Sequence, residues 1–217
     1  MFLLLLVISC GSDGSGDSST DPTTTNESTE TETETETETE TETETETGTE
    51  SGSVTAGSSF KIGAFNPDIL GKTKMGKSDI SGYIADIITY FDIILIQEIR
   101  DSSLETPDNL LTLVNAKNKG VYNVSVSARL GRSSQKEQYA FYYKTEGGLA
   151  VSGKNTYDDS TDVFEREPYS VKFTKGSVSF VLIGIHVKPS DAISELNMLD
   201  DVYESVKSSL PANDWII

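Results

Sequence analysis

From Thr29 to Thr47 threonine and glutamate alternate, with no large apolar side chain among them. Period-two glutamate places like charges on one face of any strand, so self-repulsion keeps such a tract extended. The polar stretch 11–59 therefore reads as a disordered, Thr/Glu-rich linker with no core of its own. Everything able to fold is confined to 60–217, a length that suits one domain with a real core. Charge divides at the same place. Of the 35 acidic residues, 14 lie in 1–59, which holds no Lys or Arg; the rest of the chain carries 21 acids and all 17 bases. The formal charge of −18 is thus mostly tail, and the folding part stands at −4. A domain near that value can bind a polyanion if a few Arg and Lys are placed locally and a divalent cation helps.

The apolar run at the start, Phe2 to Ile8, is far shorter than the ~20 residues of a membrane-spanning helix. Val7-Ile8-Ser9-Cys10 resembles the lipobox of bacterial lipoproteins, in which a small residue precedes a cysteine that is lipidated. On this reading residues 1–10 are a signal peptide with lipobox. Cys10 carries a lipid anchor, and the protein is exported to a bacterial cell surface. An ordinary secretory signal is the alternative. No basic residue precedes the apolar run, as it does in most export signals, so either the true start lies upstream or the match is accidental. Cys10 is the only cysteine, which rules out an intrachain disulfide and leaves stability to packing and bound metal.

From Phe60 the pattern changes. Phe60 to Phe65 reads as a strand ending at Asn66-Pro67. Ser78 is placed to cap a helix whose Ile80, Ile84, Ile87, Ile88 and Phe91 recur at helical spacing. Phe91 to Ile96, apolar but for Asp92 and rich in β-branched residues, is expected to form a strand buried on both faces and ending at Gln97-Glu98. A second helix is expected over Asn109 to Ala116. Strands are expected over Tyr122 to Ala128 and Gln138 to Lys144, around a turn at Gly131 to Ser134, and a further pair over Tyr169 to Phe173 and Val178 to Val187. Ser190 or Asp191 is placed to cap a last helix carrying Ile193, Leu196, Leu199, Val202, Val206 and Leu210, after which Trp215-Ile216-Ile217 opens a strand. Strands interleaved with helices indicate an α/β sandwich.

Four polar residues stand at or near strand ends: Asn66, Glu98, Glu137 and His186. Asn66 and Glu98 each close an apolar strand, and an amide oxygen beside a carboxylate suits a hard cation such as Mg²⁺. His186, the only histidine, ends an apolar run, and a neutral imidazole can move protons when a carboxylate such as Glu137 orients it. Spacing alone leaves the blander readings open. A lone strand-end histidine is more often structural, and an asparagine after a strand is more often a turn residue.

The local strings go further. Ile62-Gly63-Ala64-Phe65-Asn66, Gly71-Lys72-Thr73-Lys74-Met75 and the run Asp92 to Asp101 resemble, in order and spacing, the opening of the deoxyribonuclease I family. So do the run Leu130 to Tyr139, Arg166-Glu167-Pro168 and the run His186 to Ala192. The resemblance covers 60–217 and about the first three-fifths of that family's domain. It implies a DNase I-like endonuclease/exonuclease/phosphatase fold, a four-layer α/β sandwich of two β-sheets flanked by helices, C-terminally truncated. It implies an endonuclease hydrolysing DNA phosphodiesters to 5′-phosphates with Mg²⁺ or Mn²⁺. The expected partner is duplex DNA, bound largely without regard to sequence by a monomer. Asn66 and Glu98 match the family's metal ligands, and Glu137 and His186 its carboxylate–histidine pair. Arg100, Arg132 and Arg166 match arginines that meet DNA or the scissile phosphate, a task suited to a forked guanidinium. Asp159, Asp162 and Glu167 fall where the family has a structural calcium site; an acidic solvated turn is the equal alternative, because the loop between Tyr157 and Glu165 is shorter than the family's and lacks its small cysteine loop.

Three departures bear on function. Asp68 stands where the animal enzymes have an arginine, and Gln135 where they have a tyrosine against the minor groove. The later family motifs, an aspartate-x-asparagine, a further aspartate and a serine-aspartate-histidine, are not in the 217 residues. The chain as given is therefore expected to be the front part of an active nuclease and to be inert alone. Two other functions stay open: a catalytically inactive nucleic-acid-binding surface lipoprotein, and a phosphodiesterase of the same fold with another substrate.

Overall fold

A computed structural model describes residues 60–213. The expectations for Cys10, for the 11–59 linker and for a strand at Trp215 to Ile217 fall outside the described residues.

The apolar run after Asp92 forms β2 (Ile93–Ile99), all seven residues of which are buried. It lies parallel to β1 (Ile62–Phe65) and antiparallel to β4 (Gln138–Lys144), with β3 (Tyr122–Val126) at the far edge in the order β1-β2-β4-β3. The second sheet is β5 (Ala150–Thr156), β6 (Tyr169–Lys175) and β7 (Val178–Gly184), antiparallel throughout. Side-chain alternation in the strands divides the apolar residues between two cores. Ile93, Leu95, Tyr139, Phe141 and Tyr143 of the first sheet join Tyr169, Val171, Phe173, Phe180 and Leu182 of the second. Ile94, Ile96, Ala140 and Tyr142 form the other core with helix residues including Ile84, Ile88, Leu110 and Val114. Those belong to α2 (Ser78–Ile88) and α3 (Thr106–Ala116), which with the short α1 (Lys72–Met75) lie on the first sheet's outer side. Val202, Val206 and Leu210 of the helical segment beyond β7 pack into the core shared with the second sheet. The result is two sheets flanked by helices, as expected.

Several local expectations change. Ser78 is the first residue of α2 rather than its cap, and Lys77 precedes the helix without a side-chain cap bond. The helix α3 begins at Thr106, three residues before the expected start. Its amides are met by Asp101, whose carboxylate accepts the N–H groups of Glu105 (3.2 Å) and Thr106 (3.0 Å) and the Thr106 hydroxyl (2.9 Å). The last helix is two, α4 (Ala192–Asn197) and α5 (Leu199–Ser209), broken at Met198; no side-chain cap bond from Asp191 begins it, and Ile193 is exposed. The strand β5, too polar to stand out in the sequence, was not anticipated.

Candidate active site

Parallel pairing of β1 with β2 brings their C-terminal ends to one rim, and the two polar residues expected there meet. The Asn66 amide donates to Glu98 Oε1 at 2.7 Å, and the N–H of Ile69 donates to Oε2 at 2.9 Å. Glu98 does not simply follow the strand. Between the pairs Ile96↔Ala140 and Ile99↔Gln138 the strand β2 spends one residue more than β4, a bulge, and Glu98 sits in it at φ +52°. Asp68 and Ile69, in the loop after Asn66, also have φ of +55°, so three of the six non-glycine residues with positive φ among those described border this carboxylate. Such conformations each cost about 1–3 kcal/mol and persist where surrounding contacts over-determine them. Here those contacts are the backbone bonds Leu70 N to Glu98 O (2.8 Å) and Arg100 N to Leu70 O (2.8 Å). Gly71 permits the approach, since a Cβ there would lie 2.6 Å from the Arg100 carbonyl oxygen.

The second pair also forms. His186 Nδ1 lies 2.8 Å from Glu137 Oε2, both residues being buried. Burial opposes ionisation of Glu137, but the hydrogen bond with His186 and the charge of Arg166, then the Arg100 bond, overcome it and hold its carboxyl below the usual carboxylate range. An ionised carboxylate only accepts, so the proton of the pair sits on Nδ1, and in the neutral ring Nε2 is left bare. That nitrogen is 3.5 Å from Glu98 Oε1. The two pairs thus join into one line: Asn66, Glu98, His186, Glu137.

Of the three arginines, two enter this cluster. Arg100 grips Glu137 Oε1 through Nε (3.0 Å) and Nη2 (2.6 Å) and donates through Nη1 to Gln135 (2.7 Å). Arg166 directs Nε and Nη2 at the carbonyl of His186 (3.1 and 2.9 Å), with Nε 3.5 Å from Glu137. Arg132 instead pairs with Asp162 at 2.9 Å and takes the Asp162 carbonyl as well. The three acids expected to hold calcium do not converge. Asp159 Oδ2 accepts the N–H of Phe164 at 2.6 Å, Asp162 faces Arg132, and among the described residues no three of His, Cys, Asp or Glu form a metal-binding group. Asp159 is thus used on the loop's own backbone and Asp162 on Arg132, while Glu167 keeps a buried Oε2 without a hydrogen-bond partner.

Three contributors were not singled out in the sequence. Gln97 donates to the Ile185 carbonyl (2.7 Å), the Tyr139 hydroxyl accepts the N–H of His186 (2.7 Å), and Glu195 accepts those of Glu165 (3.1 Å) and Lys188 (3.4 Å). Burial pushes the Glu195 carboxyl up, and the Tyr139 phenol well above its usual range. For Gln97 alone a hint existed, an amide continuing a fully apolar run.

The donor chemistry fits a hard divalent cation. Glu98 is 7 % exposed, and among the described residues no Lys or Arg pairs with its carboxylate within 4.0 Å. A buried carboxylate with no fixed cation invites a mobile one. The Asn66 amide presents its NH2 to Glu98 and its oxygen to the Asp68 N–H, and turning over would bring that oxygen beside the carboxylate as a second donor. A groove of about 310 Å³ adjoins this rim, lined by Ile69, Lys72, Thr73, Lys74, Arg100 and Ser102 among others.

No family model matches the sequence. Among curated proteins, deoxyribonuclease-1 of Bos taurus is 39% identical over 169 residues, covering 74% of this chain and 60% of its own length. The human deoxyribonuclease-1 is 37% identical over 167 residues, covering 73% and 59%. This chain is a homologue of deoxyribonuclease I. It spans about three-fifths of the length of these deoxyribonuclease I relatives. Among solved structures, an endonuclease/exonuclease/phosphatase family protein from Leptotrichia buccalis aligns with a TM-score of 0.44 at 14% identity, covering 64% of this chain and 61% of that one. The residue strings that resemble deoxyribonuclease I in the sequence are those that build the rim: the loop after β1, the bulge of β2, the entry to β4 and the segment after β7.

Proposed function

We propose that this protein is a divalent-metal-dependent endonuclease that hydrolyses DNA phosphodiester bonds to 5′-phosphate products. The observation that carries the reading is the Glu137–His186 bond, which leaves Nε2 of the imidazole beside Glu98 at the rim. The homology to proteins named deoxyribonuclease-1 supports DNA as the substrate. Asn66 and Glu98 are the residues that would hold Mg²⁺ or Mn²⁺. A bound divalent cation supplies Lewis-acid polarisation of the phosphoryl oxygen and stabilises charge on the leaving oxygen. Nε2 of His186 takes up or delivers the proton at the reacting oxygen, while the Glu137 carboxylate stabilises the imidazolium that forms. Arg100, with donors left after binding Glu137 and Gln135, meets phosphate at the mouth of the groove, and Lys72 and Lys74 add positive charge along it. Arg166 holds the histidine rather than the substrate, since it is 9 % exposed and committed to the His186 carbonyl.

The experiment is nicking of supercoiled plasmid by the full chain with Mg²⁺ or Mn²⁺, with chelator and His186→Ala as controls. Metal-dependent nicking that falls by about 10²–10⁴-fold in the variant upholds the reading and overturns the expectation that these 217 residues are inert alone. Retention of plasmid on the protein without nicking would assign a binding role instead. Hydrolysis of small phosphodiesters but not plasmid would assign another substrate.

Export belongs to the same proposal. Val7-Ile8-Ser9-Cys10 supports lipidation at Cys10, and 11–59 would hold the domain of 60–217 off the surface. Incorporation of labelled palmitate that Cys10→Ala abolishes is the expected result.

A further inference from the structure

His186 lies beyond the end of β7 at Gly184, where no strand among the described residues pairs with its backbone. Its main-chain groups are met by side chains from elsewhere. The peptide joining Ile185 to His186 is held at both ends: Gln97 Nε2 donates to its carbonyl at 2.7 Å, and its N–H donates to the Tyr139 hydroxyl at 2.7 Å. The next carbonyl, that of His186 itself, takes Nε and Nη2 of Arg166. Both peptide planes that flank the His186 Cα are therefore pinned, which fixes φ and ψ there and with them the direction of the Cα–Cβ bond.

Two of the three clamps come from the opposite sheet. Gln97 belongs to β2 and Tyr139 to β4, and both are almost fully buried, at 1 % and 2 % exposure. Tyr139 lies on the same face of β4 as Phe141 and Tyr143, the face that meets the second sheet. Packing alone would have been served by phenylalanine, leucine or methionine at these two positions. A buried hydroxyl and a buried amide instead spend a hydrogen bond each on one peptide.

We propose that Gln97 and Tyr139 are positioning residues for His186: a latch across the sheet interface that aims the imidazole so that Nδ1 meets Glu137 and Nε2 meets Glu98. This role presupposes His186 as the group that transfers the proton, and its test does not depend on turnover.

His186 is the only histidine in the chain, so ring-nitrogen NMR reports on it without assignment. At fixed neutral pH without metal, the full chain should show the Nδ1–H form, with a downfield, slowly exchanging Nδ1 proton on Glu137. Tyr139→Phe and Gln97→Met should each lose that slow proton and show both tautomers. Tyr142→Phe is the control for loss of a buried hydroxyl. It removes the bond to the Pro107 carbonyl on the other face of β4 and should leave the imidazole signals in place. Unchanged imidazole signals in Tyr139→Phe overturn the proposal, as does an equal response in Tyr142→Phe. If Tyr139→Phe does not fold, Gln97→Met carries the same test. A latch response in a chain that never nicks DNA upholds the positioning role and removes the hydrolase reading. A nicking chain whose variants keep both signal and rate does the reverse.

Discussion

Glu137 is the residue on which most of the site converges, with one oxygen on Arg100 and the other on His186 and Arg166. Glu137→Gln keeps the shape but leaves two guanidinium groups facing a neutral amide. Breaking a buried ion pair costs about 3–5 kcal/mol, and the low end is expected because Arg100 retains some exposure. Urea denaturation at neutral pH measures it. The sign of the pH effect follows from the lowered folded-state pKa. Glu137 contributes stability that is present above its ordinary value of 4.5 and is lost as pH falls through the folded value. The Gln variant should therefore show a flatter loss of stability in acid than the parent. At this scale the sequence was informative, because Asn66, Glu98, Glu137 and His186 are chemically unusual where they stand. It was silent on Tyr139, because a tyrosine in an apolar strand looks like any core aromatic until its hydroxyl has a partner. On the surroundings of Arg166 it was silent too: a string match carries identity, whereas only the structure shows the side chain buried with two donors on the His186 carbonyl.

The element most dependent on a single side chain is α3. Its first amides are met by Asp101, which lies five residues before Thr106 in the chain. Burial opposes ionisation of Asp101, yet its bonds with Ser103 and Thr106 lower its pKa from 3.8 to about 2. Linkage makes that worth about 2 kcal/mol, present above pH 3.8 and lost as pH falls toward about 2. Asp101→Ala should remove a similar amount at neutral pH by thermal or urea melting, and Asp101→Asn somewhat less. This arrangement also explains why the start of α3 was not legible. A capping residue is sought immediately before the helix, and here the loop Asp101 to Glu105 folds back to deliver it. Strands with continuous apolar or aromatic runs, β2 and β4, could be read from periodicity. The strand β5, with Ser152, Gly153, Lys154 and Asn155 at its centre, owes its form to pairing with β6 and has no periodic signal of its own.

Across the whole molecule the two sheets are joined by an aromatic core centred on Phe173, whose ring meets Phe141, Tyr143 and Phe180 at 5.5–6.1 Å between centroids. Phe173→Ala should cost about 3–5 kcal/mol in equilibrium unfolding, with both sheets lost in one transition, because each forms the other's floor. Charge is the other whole-molecule property. The 14 acidic residues of 1–59 add to a domain near −4, so deleting them should strengthen binding to a DNA duplex at low ionic strength, an effect that vanishes as salt rises. Filter binding across a salt series would show it. The layering was readable because alternation in β2 and β4 sorts their side chains between two cores, and that sorting has one interruption. Ile94 and Ile96 face the helices, and so does Ile99, three positions on rather than two. The bulge absorbs the odd residue, and that residue is Glu98. Deleting it, unlike replacing it, would restore an unbroken ladder with every neighbour still facing its own core. A lineage that no longer needs the chemistry thus has a one-codon path to a smoother sheet, and a relative lacking that codon would be a well-folded protein that has shed its trade.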